Sequence, residues 1–238
     1  PLTNKAIDFL NTHREELSGG KRRLFIQESS TIEICHDKWN LWKFMELEGF
    51  NSPKTFLLAE SDPPDIFPLI AKERSGEGGK NQSLIEDQRD LDYCMDKYPH
   101  HIYQELIQGR EFSVDLFADI EGVPQLIVPR ERVSVRGGEV MTSRIDMNES
   151  IIDSVEALSR RLALTGPCTL QGILKENGAF LFTDLNLRFG SGSVHTIAAG
   201  GNIPLMIYQE MAGQSFSEPA IRDQSVMTRY PESIFHHS

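Results

Sequence analysis

Apolar residues recur along this chain first at helical and then at strand spacing. In residues 3–17, Ala6, Ile7, Leu10 and Leu17 share one face, predicting an amphipathic helix that Gly19 and Gly20 stop. Residues 23–27 read as a short strand. Asp37 is placed to cap a helix through Glu48, with Leu41, Phe44 and Met45 along it and Gly49 at its end. Pro53 opens an extended piece, "PKTFLLAE". "FPLIAK" then predicts a short buried strand running into the charged, glycine-rich loop "ERSGEGGKN", and residues 87–98 read as a helix.

Residues 101–135 alternate apolar and polar side chains with turn signals at Gly109 and Gly122, the pattern of an antiparallel meander. Residues 150–164 carry Ile151, Val155, Leu158 and Leu162 on one helical stripe. Two strand-like runs then flank Asn177-Gly178, a pair favoured in two-residue type I′ hairpin loops. A last helix is expected from Pro204, a good first-turn residue. Helices and antiparallel strands are interspersed, so the fold class is α+β and not a doubly wound parallel sheet.

A two-residue turn fixes a register. Lys175 would face Phe180, Gln171 would face Asp184, and Thr169 would face Asn186. Directly paired residues project from one face of a sheet. Gln171, Asp184, Asn186 and Arg188 are therefore expected in one patch, with Phe180 and Phe182 earlier on the same face. The patch reads either as a solvated strand end with one Asp–Arg ion pair or as a hard-cation site. Mg²⁺ takes carboxylate and carbonyl oxygens and keeps positions for phosphate oxygens.

Composition narrows the classes without choosing among them. The chain has 238 residues, is 39% hydrophobic and 25% charged, and has a formal charge of −11. This acidity argues against a general nucleic-acid binder, which needs a basic footprint. Three dispersed cysteines, Cys35, Cys94 and Cys168, have no metal-ligand spacing and read as reduced core thiols of a cytoplasmic protein. No apolar stretch suits a membrane span or a signal peptide. His236 and His237 read as tail residues. His195 and the pair His100-His101 read as packing or surface residues.

Three further segments carry chemistry. Lys72 ends the strand "FPLIAK" and Arg74 precedes "SGEGGK". Taken alone the loop reads as solvated; a phosphate cradle of backbone N–H groups beside an ammonium is the alternative. It matches neither a Walker A pattern nor G-x-G-x-x-G. Glu111, Ser113 and Asp115 alternate opposite Phe112, Val114 and Leu116, as on a wet sheet face or against a ligand with hydroxyls. Arg130 and Arg132 share a strand face with Arg136 beyond them, for an anionic partner or for the many glutamates.

In order, a strand lysine, a glycine-rich loop, "QELIQGRE", an arginine strand, a glutamine strand and "DLNLR" form one series. That series resembles the ATP-grasp superfamily, and within it the carbamoyl-phosphate-synthase large-chain-like branch, over about residues 29–213. The resemblance implies two α+β subdomains that hold a nucleotide between antiparallel sheets. Residues 35–108 would be the small subdomain and 109–238 the C-terminal subdomain. Residues 1–34 would be the last helix and strand of a Rossmann-like domain that precedes the family's ATP-grasp part.

It further implies roles. Lys72 would meet the α and β phosphates of ATP, with Lys38, Arg74 and the loop glycines Gly76, Gly78 and Gly79 around them. Glu105, Leu106 and Ile107 would meet the adenine, and Glu111 the ribose. Gln171, Asp184 and Asn186 would hold Mg²⁺ or Mn²⁺, and Arg188 and Arg132 would steady the γ-phosphate. The family usually has Glu where this chain has Asp184, which leaves one metal ion or two open. The implied reaction is ADP-forming ligation, in which a carboxylate or bicarbonate becomes an acyl phosphate for attack by an amine or ammonia. A non-catalytic ATP-binding or regulatory module of the same fold is the alternative. The implied partners are these small molecules, with neither nucleic acid nor membrane, and homo-oligomerisation is left open.

Overall fold

The computed structural model describes residues 2–18, 24–62, 64–76, 81–216, 218–230 and 232. Gly19, Gly20, Gly78, Gly79, His236 and His237, singled out above, lie outside them. The N-terminal helix comes in two pieces, α1 (Asn4–Thr12) and α2 (Arg14–Leu17), broken at His13. Residues 24–28 form no strand. Arg14 Nη2 donates to the Gln27 carbonyl, and the Gln27 side chain ties the segment down by donating through Nε2 to the Thr165 carbonyl at 2.6 Å. Among the described residues before residue 35, the expected helix is present and the expected strand is not. An unanticipated helix, α3 (Ser29–His36), spans the expected boundary between residues 34 and 35.

Helix α4 (Lys38–Glu48) begins and ends where its sequence dictates. The Asp37 carboxylate accepts from the Trp39 and Asn40 N–H groups, and the helix stops at Gly49. A small sheet follows, made of β1 (Thr55–Phe56), β2 (Leu69–Glu73), β3 (Ser83–Ile85) and, after α5 (Gln88–Lys97), β4 (His101–Glu105). Its order is β1-β4-β2-β3, antiparallel throughout. The expected meander thus loses its first strand to another sheet. Alternation marks β4 as a strand, but both sheets offer it an apolar face, so the pattern does not select its partners.

The large sheet comprises β5 (Arg110–Ala118), β6 (Pro124–Arg136), β7 (Glu139–Ile145), β8 (Gly166–Leu174), β9 (Phe180–Asn186) and β10 (Val226–Thr228). Its order is β10-β7-β6-β5-β8-β9. β7 and β10 extend it beyond the strands that the sequence pattern predicts. Helix α6 (Glu149–Arg161) buries Ile151, Val155 and Leu158 against one face, each contributing about 1.5–3 kcal/mol on burial. Ile7, Ile32, Cys35, Leu41 and Met45 complete that core with Phe112, Val114 and Leu116. On the opposite face, the short α7 (Ser193–Ala198) and α8 (Ile203–Met211) pack over Phe117, Val128 and Ile145. Trp39 of α4 packs with Leu57, just after β1, and with Ile102 of β4, so α4 joins the two halves.

The β8–β9 hairpin reaches the expected pairing by another route. Its loop is residues 175–179, not two residues: Gly178 N–H donates to the Lys175 carbonyl at 3.0 Å, and Lys175 N–H to the Ala179 carbonyl at 2.9 Å. Gly178 takes φ +84°, which a side chain would strain. Leu174 consequently faces Phe180, one residue off the expected register. A bulge at Thr183 then restores it, and Gln171↔Asp184 and Thr169↔Asn186 pair as anticipated. The bulge also switches faces. Phe180 and Phe182 point into the core with Leu185 and Leu187, away from Asp184 and Asn186. Their expected place beside the carboxylate is corrected accordingly.

Candidate functional site

The register arranges the open face of the large sheet in three cross-strand ranks. The first holds Arg132 and Glu111. The second runs Arg130–Ser113–Gln171–Asp184 across β6, β5, β8 and β9, and the third runs Asp115–Thr169–Asn186. Successive ranks are two residues, about 7 Å, apart along the strands. A cavity of ≈ 900 Å³ lies over these ranks and under the small sheet.

From the small-sheet side come two ammonium groups. Lys72 is buried, and its Nζ donates to Gln104 Oε1 at 2.8 Å. Gln104 Nε2 in turn donates to Thr55 Oγ1 at 3.0 Å, so β1 and β4 orient the lysine of β2. Lys38, in the first turn of α4, donates to the Gly76 carbonyl at 3.0 Å. Both ammonium nitrogens stand 3.8 Å from the Asp184 carboxylate. Asp184, Asn186 and Gln171 thus supply one carboxylate and two amide oxygens on a shared face, a donor set that fits a single Mg²⁺. Arg188 Nη2 donates to Asn186 Oδ1 at 3.1 Å, next to that set.

Glu105, Leu106 and Ile107 line the same cavity. The Leu106 N–H is committed to the Pro68 carbonyl at 3.1 Å, so it is not the group available to an adenine edge. Glu111 sits at the rim, and its carboxylate lies 3.2 Å from Arg132 Nε. Arg132 also donates to Ser113 Oγ at 3.4 Å and to the Gly138 carbonyl at 3.3 Å. It therefore stands in the Glu111 rank and not beside Asp184. Arg74 does not line the cavity. Its Nε donates at 2.6 Å to Asp37, tying the strand end to the cap of α4, which corrects its expected place among the phosphate contacts. Gly76 lines the cavity; Gly78 and Gly79 fall outside the described residues.

The sequence pattern missed the most heavily bonded group of the site. Asp115 and Arg130, each 1% exposed, form a two-point ion pair at 2.8 and 3.2 Å. Asp115 also accepts from Thr169 Oγ1 at 3.2 Å, Ser193 Oγ at 2.7 Å and Thr196 Oγ1 at 2.5 Å. The face expected to be wet is thus partly buried, because α7 folds over it. The available signal was a single Asp inside the apolar run "FSVDLFA". Gln104 had no comparable mark, since only the pairing of β2 with β4 brings it to Lys72.

His195 of α7 is buried between Ser143 Oγ, 2.8 Å from Nδ1, and Ser225 Oγ, 3.1 Å from Nε2. Burial lowers its pKa from 6.5, with the Arg130 charge helping and Asp115 opposing. The folded state therefore binds fewer protons than the unfolded chain at mildly acid pH. Its contribution to stability is complete above about pH 6.5 and is lost as pH falls toward the folded value. Urea unfolding between about pH 5 and 7 should show a steeper acid loss in the wild type than in His195→Asn. Equal slopes would exclude this source. The three cysteines are buried and free, as their spacing suggests, and burial pushes the Cys168 thiol up to about 12. Among the described residues no helix is long and apolar enough to cross a membrane.

Carbamoyl-phosphate synthase of Methanobrevibacter smithii is 22% identical over 146 residues, which cover 60% of this chain and 35% of that protein. The fold matches biotin carboxylase of Campylobacter jejuni, solved as a β,γ-ATP complex, with a TM-score of 0.73 and 15% identity over 95% of this chain and 56% of that one. It also matches L-amino acid ligase of Bacillus licheniformis, with a TM-score of 0.68 and 19% identity over 92% and 56%. The chain thus spans little more than half of these structures and about a third of the curated relative. The profile of the ATP-grasp domain matches residues 35–192, from the end of α3 to the glycines after β9, taking in both lysines and all three candidate metal ligands; the chain belongs to the ATP-grasp family.

Proposed function

We propose that the chain binds MgATP between its two sheets and acts as the ATP-grasp unit of an ADP-forming ligase. One observation carries the reading: Lys38 and Lys72 from one side, and Gln171, Asp184, Asn186 and Arg188 from the other, converge on one cavity. Phosphoryl transfer asks a protein mainly for positioning and charge neutralisation, and these residue types supply both. Lys72, fixed by Gln104, neutralises the inner phosphates, and Lys38 joins it from α4. Glu111 accepts from the ribose hydroxyls at the rim. Arg188 holds the γ-phosphate in line. When bound, Mg²⁺ supplies Lewis-acid neutralisation of the phosphate oxygens, with Asp184, Asn186 and Gln171 as its protein ligands.

A carboxylate or bicarbonate oxygen attacks the γ-phosphorus, and the bond to the bridging β–γ oxygen breaks to release ADP. The nitrogen of an amine or ammonia attacks the carbonyl carbon of the acyl phosphate. The carbon–oxygen bond to phosphate breaks and the nitrogen loses a proton. Residues 35–108 and 109–238 would be the corresponding subdomains; α3 runs across residue 34, so residues 1–34 are not set apart as the remnant of a preceding domain. The protein would work in the cytoplasm on small molecules, alone or as a homo-oligomer.

A second reading, a nucleotide-binding module without turnover, is favoured by the donor set. It holds a single carboxylate, Asp184, beside the amides of Gln171 and Asn186. Thermal denaturation with MgATP tests the nucleotide site. A concentration of 100 times Kd should stabilise the fold by about 2.7 kcal/mol, whereas no shift at millimolar nucleotide would sink both readings. ADP release across carboxylates, bicarbonate and amines then separates ligase from module.

A further inference from the structure

We propose that His36, held by Asp8, seats a water molecule behind Asp184 and Asn186 and so fixes these two metal ligands in place. The inference rests on the MgATP reading and adds to it a positioning residue from the last turn of α3. His36 Nδ1 lies 3.2 Å from the Asp8 carboxylate of α1, and the histidine side chain is 20% exposed. Its Nε2 is buried and has no hydrogen-bond partner among the described residues. A buried ring nitrogen left unmatched costs free energy, and such groups in native structures are commonly met by a water.

The surroundings supply that water's other partners. His36 lines a chamber of ≈ 20 Å³ with Lys38, Asp184 and Asn186, three residues that also line the large cavity. About 10–15 Å³ suffices for one water, provided that it finds two to four polar partners. Asp8 draws the proton of the neutral ring to Nδ1, which leaves Nε2 as an acceptor. The water then donates to Nε2 and to the Asp184 carboxylate, and accepts from the Lys38 ammonium and the Asn186 amide. Lys38 Nζ stands 3.8 Å from Asp184, too far for a direct hydrogen bond, and a water bonded to both completes the contact. Asn186 presents Oδ1 to Arg188, so Nδ2 is the atom left for the water. With Nδ2 tied, the amide cannot flip and Oδ1 stays turned toward the cation site. Cys35 also lines the chamber, but burial pushes its thiol well above the ordinary value. It brings no thiolate, which suits a water site and not a soft-metal site.

Asp8 belongs to α1, outside residues 35–192 that match the family profile, so the N-terminal helix supports the cation site from a distance. The test is Mn²⁺ binding to the full chain at saturating ADP, read from the electron paramagnetic resonance signal of free Mn²⁺. His36→Leu removes the acceptor and should weaken Mn²⁺ by about 10–100-fold, as losses behind a metal ligand commonly do. His36→Gln, whose amide oxygen can replace Nε2, should hold Mn²⁺ within about threefold of wild type. Asp8→Ala frees the ring and should fall between the two. Affinity for ADP without metal should stay within about twofold in all three variants. A purely structural role would lower both affinities together and gain nothing from glutamine. The ¹⁵N spectrum of the neutral His36 ring should place the proton on Nδ1.

Equal Mn²⁺ affinity in His36→Leu and wild type, a matching loss of metal-free ADP affinity, no recovery in His36→Gln, or a ring proton on Nε2 would overturn the proposal. Should His36→Leu fail to fold, the wild-type ring spectrum and Asp8→Ala decide. Wild type that binds no Mn²⁺ with ADP sinks the metal assignment as well. That result needs no variant, so it is told apart from a failure of His36 alone.

Discussion

Replacing Asp184 by alanine is expected to lower Mg²⁺-dependent ADP release by about 10²–10³-fold while leaving the fold intact. Asp184 is the one carboxylate in the set Gln171–Asp184–Asn186, so its removal leaves two neutral amide oxygens to hold a hard cation. Its side chain is 25% exposed and lies on β9, at the edge of the large sheet, so little packing is lost. The two lysines give the experiment a second reading. Lys38 and Lys72 both lie 3.8 Å from Asp184, and without it two ammonium groups converge on the cavity unneutralised. Metal-free ATP should therefore bind Asp184→Ala at least as well as wild type, even though added Mg²⁺ no longer helps. A general loss of structure would weaken both. Asp184→Glu, which restores the carboxylate one methylene further out, should recover most of the Mg²⁺ dependence. Wild-type kinetics in Asp184→Ala, with its Mg²⁺ requirement unchanged, would refute the metal assignment.

What the sequence made legible follows from periodicity. Alternation along β5 assigned Glu111, Ser113 and Asp115 to one face, because a strand has only two faces and one of them packs on α6, and the expected Asn177-Gly178 turn paired Gln171 with Asp184. The pattern failed where a local irregularity or a distant partner decided. The five-residue loop and the Thr183 bulge cancel in register but not in facing, so the pairing of Gln171, Asp184 and Asn186 was anticipated and the facing of the two phenylalanines was not. β4 lay in the expected strand but in the other sheet, since its order depends on β1 and β2. Helix α3 and the position of Arg74 were hidden for a related reason. Asp37 has a local role as a helix cap that the sequence displays, and a second role, binding Arg74 across 37 positions, that only the fold creates.

The largest stability effect is expected at Asp115. Its carboxylate accepts from Arg130, Thr169, Ser193 and Thr196, and so ties β5, β6, β8 and α7 together under the cavity floor. Asp115→Ala leaves the Arg130 guanidinium buried without its counter-charge, and that should cost about 3–5 kcal/mol in urea unfolding. Such a loss is a large part of a typical domain's 5–15 kcal/mol, so lowered expression is expected too. Thr196→Val removes one hydroxyl donor from a carboxylate that keeps its other partners, and should cost only about 1–2 kcal/mol. A cost under about 1 kcal/mol for Asp115→Ala would mean that water reaches the guanidinium and that the ion pair does not organise the floor. The double variant Asp115→Leu/Arg130→Met removes both charges together and should regain the part of the loss that comes from the unpaired guanidinium, while the hydroxyls of Thr169, Ser193 and Thr196 stay without their acceptor. That variant would fold with α7 in place and with no cation under the turn at residues 190–192.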